Sequence, residues 1–154
     1  MATLLIDSEL LVLLIVGSAS RAYISKHRRL RAYTEADFDL LQELISRYSD
    51  LVVTPNTLTE ASNLLAYVGE PIKSRIFNVF GKFIGVVGER YLQSKELVEQ
   101  EAFIRLGLTD AAFLAVGESG CVLVTSDLRL YLAASAKGQE AHNFNHLREA
   151  RGTV

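Results

Sequence analysis

The stretch TLLIDSELLVLLIV, residues 3–16, decides the fold class. Its first four residues form a short apolar run that ends at Asp7, and a longer apolar run follows as far as Val16. This pattern indicates a buried strand that turns directly into a buried helix, although periodicity alone does not separate strand from helix here. Asp7 therefore lies at a junction where α/β folds gather functional side chains.

Short apolar runs alternate with helical patterns along the rest of the chain. Strands are expected at residues 51–53 and 121–125, with a last edge strand at 140–144. The glycine-punctuated residues 81–88 give no clear prediction. Alternating strands and helices predict a three-layer α/β/α sandwich with a mostly parallel central sheet. The expected helices cover 34–48, 55–65, a segment from Pro71, 96–105, 109–116, 128–136 and a short terminal segment.

Length and composition restrict the class of protein. A chain of 154 residues with 49% hydrophobic residues suits one domain, residues 1–154, with a single core. The formal charge of −2 excludes a protein that coats nucleic acid through overall positive charge. The single cysteine, Cys121, lies in an apolar run and gives neither a disulfide nor a zinc motif, which favours a reducing cytoplasm.

The apolar residues 10–16, followed by small residues, superficially resemble a secretory signal. Asp7 and Glu9 precede them, where a signal peptide would carry lysine or arginine. The run is also much shorter than the about 20 apolar residues that cross a membrane. We therefore expect neither a signal peptide nor a membrane span.

Four acidic residues stand where apolar runs give way to helical patterns. Each has a purely structural explanation. Asp7 and Asp127 are suited to cap the helices that follow them, Asp110 to stabilise a first turn, and Glu60 to complete a capping box that starts at Thr57.

Their combination favours a metal site. Parallel strands end at one edge of the sheet, and Asp7 and Asp127 each follow a strand there, while Glu60 and Asp110 come from neighbouring helices. Carboxylates gathered in one site raise each other's pKa unless a cation compensates their charge. Mg²⁺ and Mn²⁺ prefer oxygen ligands of this kind.

The motifs around the acids resemble those of the PIN-domain nucleases, including the VapC-type toxins of bacterial toxin–antitoxin pairs. The resemblance rests on LIDS at 5–8, Thr54-Pro55 leading to Glu60, LTDAA at 108–112 and VTSD at 124–127. It implies an Mg²⁺ or Mn²⁺ site made by the four acids and metal-dependent cleavage of RNA. Thr125 matches the hydroxyl residue of the family. Glu9 and Ser126 depart from the usual pattern.

The resemblance also implies a mechanism and partners. Metal-activated water would attack phosphorus and leave a 5′-phosphate and a 3′-hydroxyl. If the chain is a toxin, a small antitoxin protein should occupy the groove. The apolar residues Phe77, Phe80 and Phe83 fit either the core or the interface of an expected homodimer.

A basic run between the first two helices is the expected RNA contact. The run could equally be a solvated connecting helix, and Tyr23 and Tyr33 beside it suit either base stacking or core packing. The three histidines show no ligand spacing and are expected at the surface or at edges of the packing. The residues expected to bind RNA are Arg21, Lys26, Arg28, Arg29 and Arg31.

Three alternatives compete with a nuclease. A phosphatase with an aspartate nucleophile usually has a second aspartate two residues later, where this chain has Glu9. A phosphate-cradling nucleotide fold lacks its glycine-rich loop after the first strand. A catalytically silent PIN-like module that binds RNA or protein has no need of four mutually repelling acids.

Overall fold

The computed structural model describes residues 2–152, whose centre is a five-stranded, all-parallel sheet. The order across the sheet is β3-β2-β1-β4-β5. Leu4 of β1 lies between Leu51 of β2 and Val122 of β4. The strands are β1 (Thr3–Ile6), β2 (Asp50–Val53), β3 (Gly88–Glu89), β4 (Val122–Thr125) and β5 (Ala141–Asn143).

Helices cover both faces of this sheet, so the predicted three-layer sandwich is confirmed. On β1, Leu4 and Ile6 belong to one core cluster and Leu5 to another, as the alternation of a strand requires. The helices are α1 (Ser8–Ala19), α2 (Glu35–Ser46), α3 (Pro55–Leu65), α4 (Ile72–Val86), α5 (Ser94–Leu97), α6 (Glu101–Leu106), α7 (Leu108–Gly117), α8 (Leu128–Ala136) and α9 (Phe144–Arg151).

Helix α1 is buried along nearly its whole length, which explains its continuous apolar sequence. It packs among α2, α3 and α4 on one face of the sheet. A Cβ atom at Gly17 would overlap the ring of Phe38, so glycine permits the close approach of α1 and α2. Phe80 is buried in the same cluster, and Phe77 and Phe83 pack against it, so core packing accounts for all three.

Residues 96–105 do not form the single helix that was predicted. The chain leaves the helical conformation at Gln100, between α5 and α6. The residues on the two sides of the break pack differently, since Leu97 joins a cluster with α7 whereas Ala102 joins the core on the sheet.

The glycine-punctuated residues 81–88 are helical up to Val86, and the strand β3 begins at Gly88, after Val87. Its two residues pair with Val52 and Val53. The sequence did not predict β3, because two residues are too few to show the alternation of a strand.

The basic run forms two short 3-10 helices, Arg21–Lys26 and Arg28–Leu30, rather than one connecting helix. The prediction that all three histidines lie at the surface or at packing edges was wrong for His27, which is 1% exposed. Its ring nitrogens contact the Leu65 carbonyl at 3.1 Å and the Arg29 backbone N–H at 3.2 Å. These bonds satisfy a polar ring inside the fold.

Residues 2–152 contain no helix with both the length and the apolar character needed to cross a bilayer.

Candidate active site

A pocket of about 210 Å³ opens where β1 and β4 end, and acidic side chains line it. Strand β1 delivers Asp7 and the adjacent β4 delivers Asp127, while α3 and α7 contribute Glu60 and Asp110. The structure thus brings the four acids of the sequence motifs to one pocket. Glu9, in the first turn of α1, is a fifth.

Asp7 is the most constrained of these acids. It caps α1 by accepting the Leu10 N–H at 3.2 Å on Oδ1, while the Thr125 hydroxyl and the Ser126 N–H, at 3.3 Å, donate to Oδ2. Burial raises the pKa of Asp7 to about 7, with a smaller contribution from the charge of Glu9 and opposition from the hydrogen bonds. A cation would therefore bind a group that is poised to lose its proton near neutral pH.

Thr125 connects Asp7 to Asp127. Its hydroxyl donates to Asp7, and the same oxygen accepts the Asp127 N–H at 3.0 Å. Asp127 caps α8 through Oδ1, which accepts the N–H groups of Arg129 at 2.9 Å and Leu130 at 3.3 Å. One buried hydroxyl thus fixes the spacing of the two strand-end acids.

The structural explanation of Glu60, that it completes a capping box starting at Thr57, is wrong. Helix α3 begins at Pro55, and its cap is Thr54, whose hydroxyl oxygen accepts the Thr57 N–H at 3.0 Å. Glu60 consequently lies in the second turn of α3, exposed at the pocket. A role in helix capping no longer explains this residue.

Asp110 lies in the first turn of α7, which starts after Gly107. Gly107 has a φ of 91°, a left-handed conformation that glycine adopts readily and that separates α6 from α7. The pKa of Asp110 is raised to about 6, mainly by burial and then by the charges of Asp127 and Glu60, against the opposing charge of Arg129. The acids therefore interact electrostatically across the pocket.

Glu9 and Ser126, the two residues that depart from the motif resemblance, contact each other. The Ser126 hydroxyl lies 2.7 Å from Glu9 Oε2, so Ser126 links Glu9 to Asp7. Burial raises the pKa of the nearby Tyr33 hydroxyl to about 12, against the opposing effect of the Ser126 side chain. Tyr33 packs in the core, where its ring meets Phe144.

A second layer of polar residues from α9 supports the loop after β4, and the sequence motifs did not point to it. Asn145 donates to the Ser126 carbonyl at 3.2 Å and accepts from Arg148 at 2.9 Å. Arg148 forms a buried ion pair with Asp37 of α2, at 3.0 Å between Nε and Oδ1. The buried polar pair lies 111 positions apart in sequence, so no local pattern could have indicated it.

Of the five predicted RNA-binding residues, only one lines the acidic pocket. Arg29 lines the acidic pocket. Arg21 forms exposed ion pairs with Glu35 at 3.3 Å and Asp39 at 2.6 Å. Lys26, Arg28 and Arg31 are exposed and do not line this pocket.

The donor chemistry of the pocket fits Mg²⁺ or Mn²⁺, because every acidic group offers hard carboxylate oxygens. Both capping hydrogen bonds of Asp127 go to Oδ1, so capping does not use Oδ2. Across residues 2–152, no three His, Cys, Asp or Glu side chains already form a group that could hold an ion.

Comparison with known proteins shows the fold. No family model and no curated protein sequence matches the chain. The chain is similar to the crystal structure of PAE2754 from Pyrobaculum aerophilum, with a TM-score of 0.55 and 20% sequence identity over 97% of this chain and 96% of that one. At this identity the likeness extends to the α/β/α architecture alone.

Proposed function

We propose that this protein is a metal-dependent endoribonuclease of the PIN type, in which Asp7, Glu60, Asp110 and Asp127 hold Mg²⁺ or Mn²⁺. One observation carries the proposal: acids from four separate elements line one pocket, and two of them have raised pKa values. Such a cluster is costly for folding unless a bound cation or a catalytic task offsets it.

The bound ion would supply an activated water and charge stabilisation at the phosphate. The protein's own residues would prepare the pocket. Thr125 and the Ser126 N–H orient Asp7, and the backbone of α8 orients Asp127. Asp110 would join Asp7 and Asp127 as a direct or water-bridged ligand, and Glu60 would act as a further ligand or accept a proton from the attacking water. Buried Val12 and Phe113 add apolar side chains to the lining of the pocket.

The toxin role, the antitoxin partner and the homodimer extend this proposal by the motif resemblance. An antitoxin would cover the acidic pocket, and expression of the chain alone would arrest growth. A cytoplasmic location agrees with an RNA substrate and with the buried free thiol of Cys121.

The test is RNA cleavage by the purified protein with Mn²⁺, Mg²⁺ or EDTA. We expect cutting that needs the metal and leaves 5′-phosphates. Asp7→Asn should abolish cutting, whereas Asp50→Asn, which changes an exposed acid at the start of β2, should not. Calorimetric titration with Mn²⁺ should show binding to the wild type and weaker binding to Asp7→Asn.

Two results would contradict the nuclease proposal. Cutting that persists in EDTA and in Asp7→Asn would indicate a contaminant or another mechanism. RNA binding without any cutting, in a protein that nevertheless binds Mn²⁺, would favour the silent binding module.

A further inference from the structure

The edge of the acidic pocket carries a cation paired with an exposed aromatic ring. Arg29 lines the pocket, and its guanidinium carbon lies 5.5 Å from the centroid of the Tyr67 ring. Tyr67 is 50% exposed and follows the end of α3 closely. Leu64, one turn before Tyr67, also lines the pocket, so the Tyr67 ring lies at the edge of the pocket.

The buried side chain of His27 fixes the backbone on both sides of the Arg29–Tyr67 pair. The buried ring of His27 accepts the Arg29 N–H through Nδ1, while its Nε2 contacts the carbonyl of Leu65. With this tautomer, Nε2 donates, and the basic run is tied to the end of the helix that carries Glu60. The positions of Arg29 and Tyr67 are thereby coupled to an acid of the pocket.

The chemistry of the pair complements the pocket. Carboxylates repel a phosphodiester backbone, so a cation at the rim supplies attraction that the acids lack. The exposed ring of Tyr67 offers a flat apolar surface of the kind on which unpaired bases stack. The cation–π contact keeps the ring oriented before a ligand arrives.

We propose that Arg29 and Tyr67 form a nucleotide subsite for single-stranded RNA, with a phosphate on Arg29 and the adjoining base on Tyr67. The subsite rests on the proposed function for the identity of its ligand. It would favour single strands, because bases inside a duplex already stack on their neighbours.

The test is equilibrium binding of a fluorescently labelled short single-stranded RNA, measured by anisotropy in the Asp7→Asn background so that the RNA stays intact. Tyr67→Ala and Arg29→Gln should each weaken binding about tenfold, while Tyr67→Phe should stay within about twofold because the stacking face remains. Tyr91→Ala and Lys95→Gln are matched controls, since both residues are exposed and lie outside the pocket. The same RNA in a duplex should bind more weakly and should be insensitive to Tyr67→Ala.

RNA cleavage by Tyr67→Ala and Arg29→Gln variants that keep Asp7 distinguishes the nuclease proposal from the subsite proposal. Tyr67→Ala should raise KM and leave kcat nearly unchanged. A protein that cuts RNA but shows no effect of Tyr67→Ala or Arg29→Gln on binding or KM would overturn the subsite alone. A protein that shows the expected binding losses without cutting would support the subsite and contradict the nuclease. Absence of single-strand binding would overturn the subsite.

Discussion

Asp7 performs two tasks whose electrostatic demands differ. As the cap of α1 it accepts backbone and hydroxyl hydrogen bonds, which favour the charged carboxylate. As a buried acid beside Glu9 it is driven toward the neutral form, and burial dominates, with a pKa of about 7. A divalent ion in the pocket would remove this conflict by stabilising the charged form.

The raised pKa of Asp7 predicts how stability depends on pH without metal. The folded protein retains a proton that the unfolded chain releases above its ordinary pKa of 3.8, so the free energy of unfolding falls as pH rises toward about 7. The loss due to Asp7 should be on the order of 4 kcal/mol, and Asp7→Asn should remove it while the smaller contribution of Asp110 remains. Urea unfolding in EDTA at a series of pH values measures this slope, and Asp50→Asn should retain it.

Added Mn²⁺ should reverse the trend, because the ion binds ionised carboxylates and stabilises the folded protein more as pH rises. If the free energy of unfolding falls with pH equally steeply in Asp7→Asn and in the wild type, Asp7 is not the group responsible.

At the scale of single elements, the junctions between strand and helix position the site. Only Asp7 separates β1 from α1, and two residues separate β4 from α8. Both helices therefore begin at the pocket, and their N-terminal partial charges favour the acids that cap them. The same short connections place Thr125 between the two caps.

Helix α3 depends on its cap in the same way. Thr54 is fully buried, accepts the Thr57 N–H and donates to the Thr57 hydroxyl at 3.0 Å. Thr54→Val keeps the shape but loses both bonds, and it should lower the free energy of unfolding by about 1–2 kcal/mol. Thr54→Ser should keep most of the stability, as urea unfolding would measure. If the two variants are equally stable, the hydroxyl is not the stabilising feature.

At the scale of the whole molecule, the Asp37–Arg148 ion pair joins α2 to α9. Asp37 is 0% exposed and Arg148 8% exposed, and the guanidinium also lies 4.7 Å from the centroid of the Tyr33 ring. Through Asn145 the same arginine supports the loop that carries Ser126. The last helix thus contributes to the site without entering it.

Breaking this pair should be costly. Arg148→Met leaves the Asp37 carboxylate buried without its cation and should reduce the free energy of unfolding by about 3–5 kcal/mol. The double variant Asp37→Asn/Arg148→Met should lose less than the sum of the single losses, because each single change leaves an uncompensated partner. Denaturant unfolding of all four proteins gives the coupling energy, and Arg47→Met, at an exposed ion pair, is the control. Additive losses would contradict the coupling.

The sequence predicted most elements because their patterns are local. Asp7 and Asp127 were recognisable as strand-end acids from the apolar runs before them, and both cap helices as their residue type favours. The predictions failed at Gln100, where the helix breaks between residues that pack into different clusters, and at β3, which is too short to show a pattern. Burial of His27 depends on a carbonyl 38 positions away.

The sequence by itself determined the α/β class, the order of the main elements and the acidic residues at their junctions, because hydrophobic periodicity and helix capping act over a few residues. Only the tertiary structure decided that these acids share one pocket, how burial shifts their pKa values, and that Arg29 and Tyr67 stand at its edge. Each of these depends on distances between segments far apart in the chain, and such distances are set when the whole core packs.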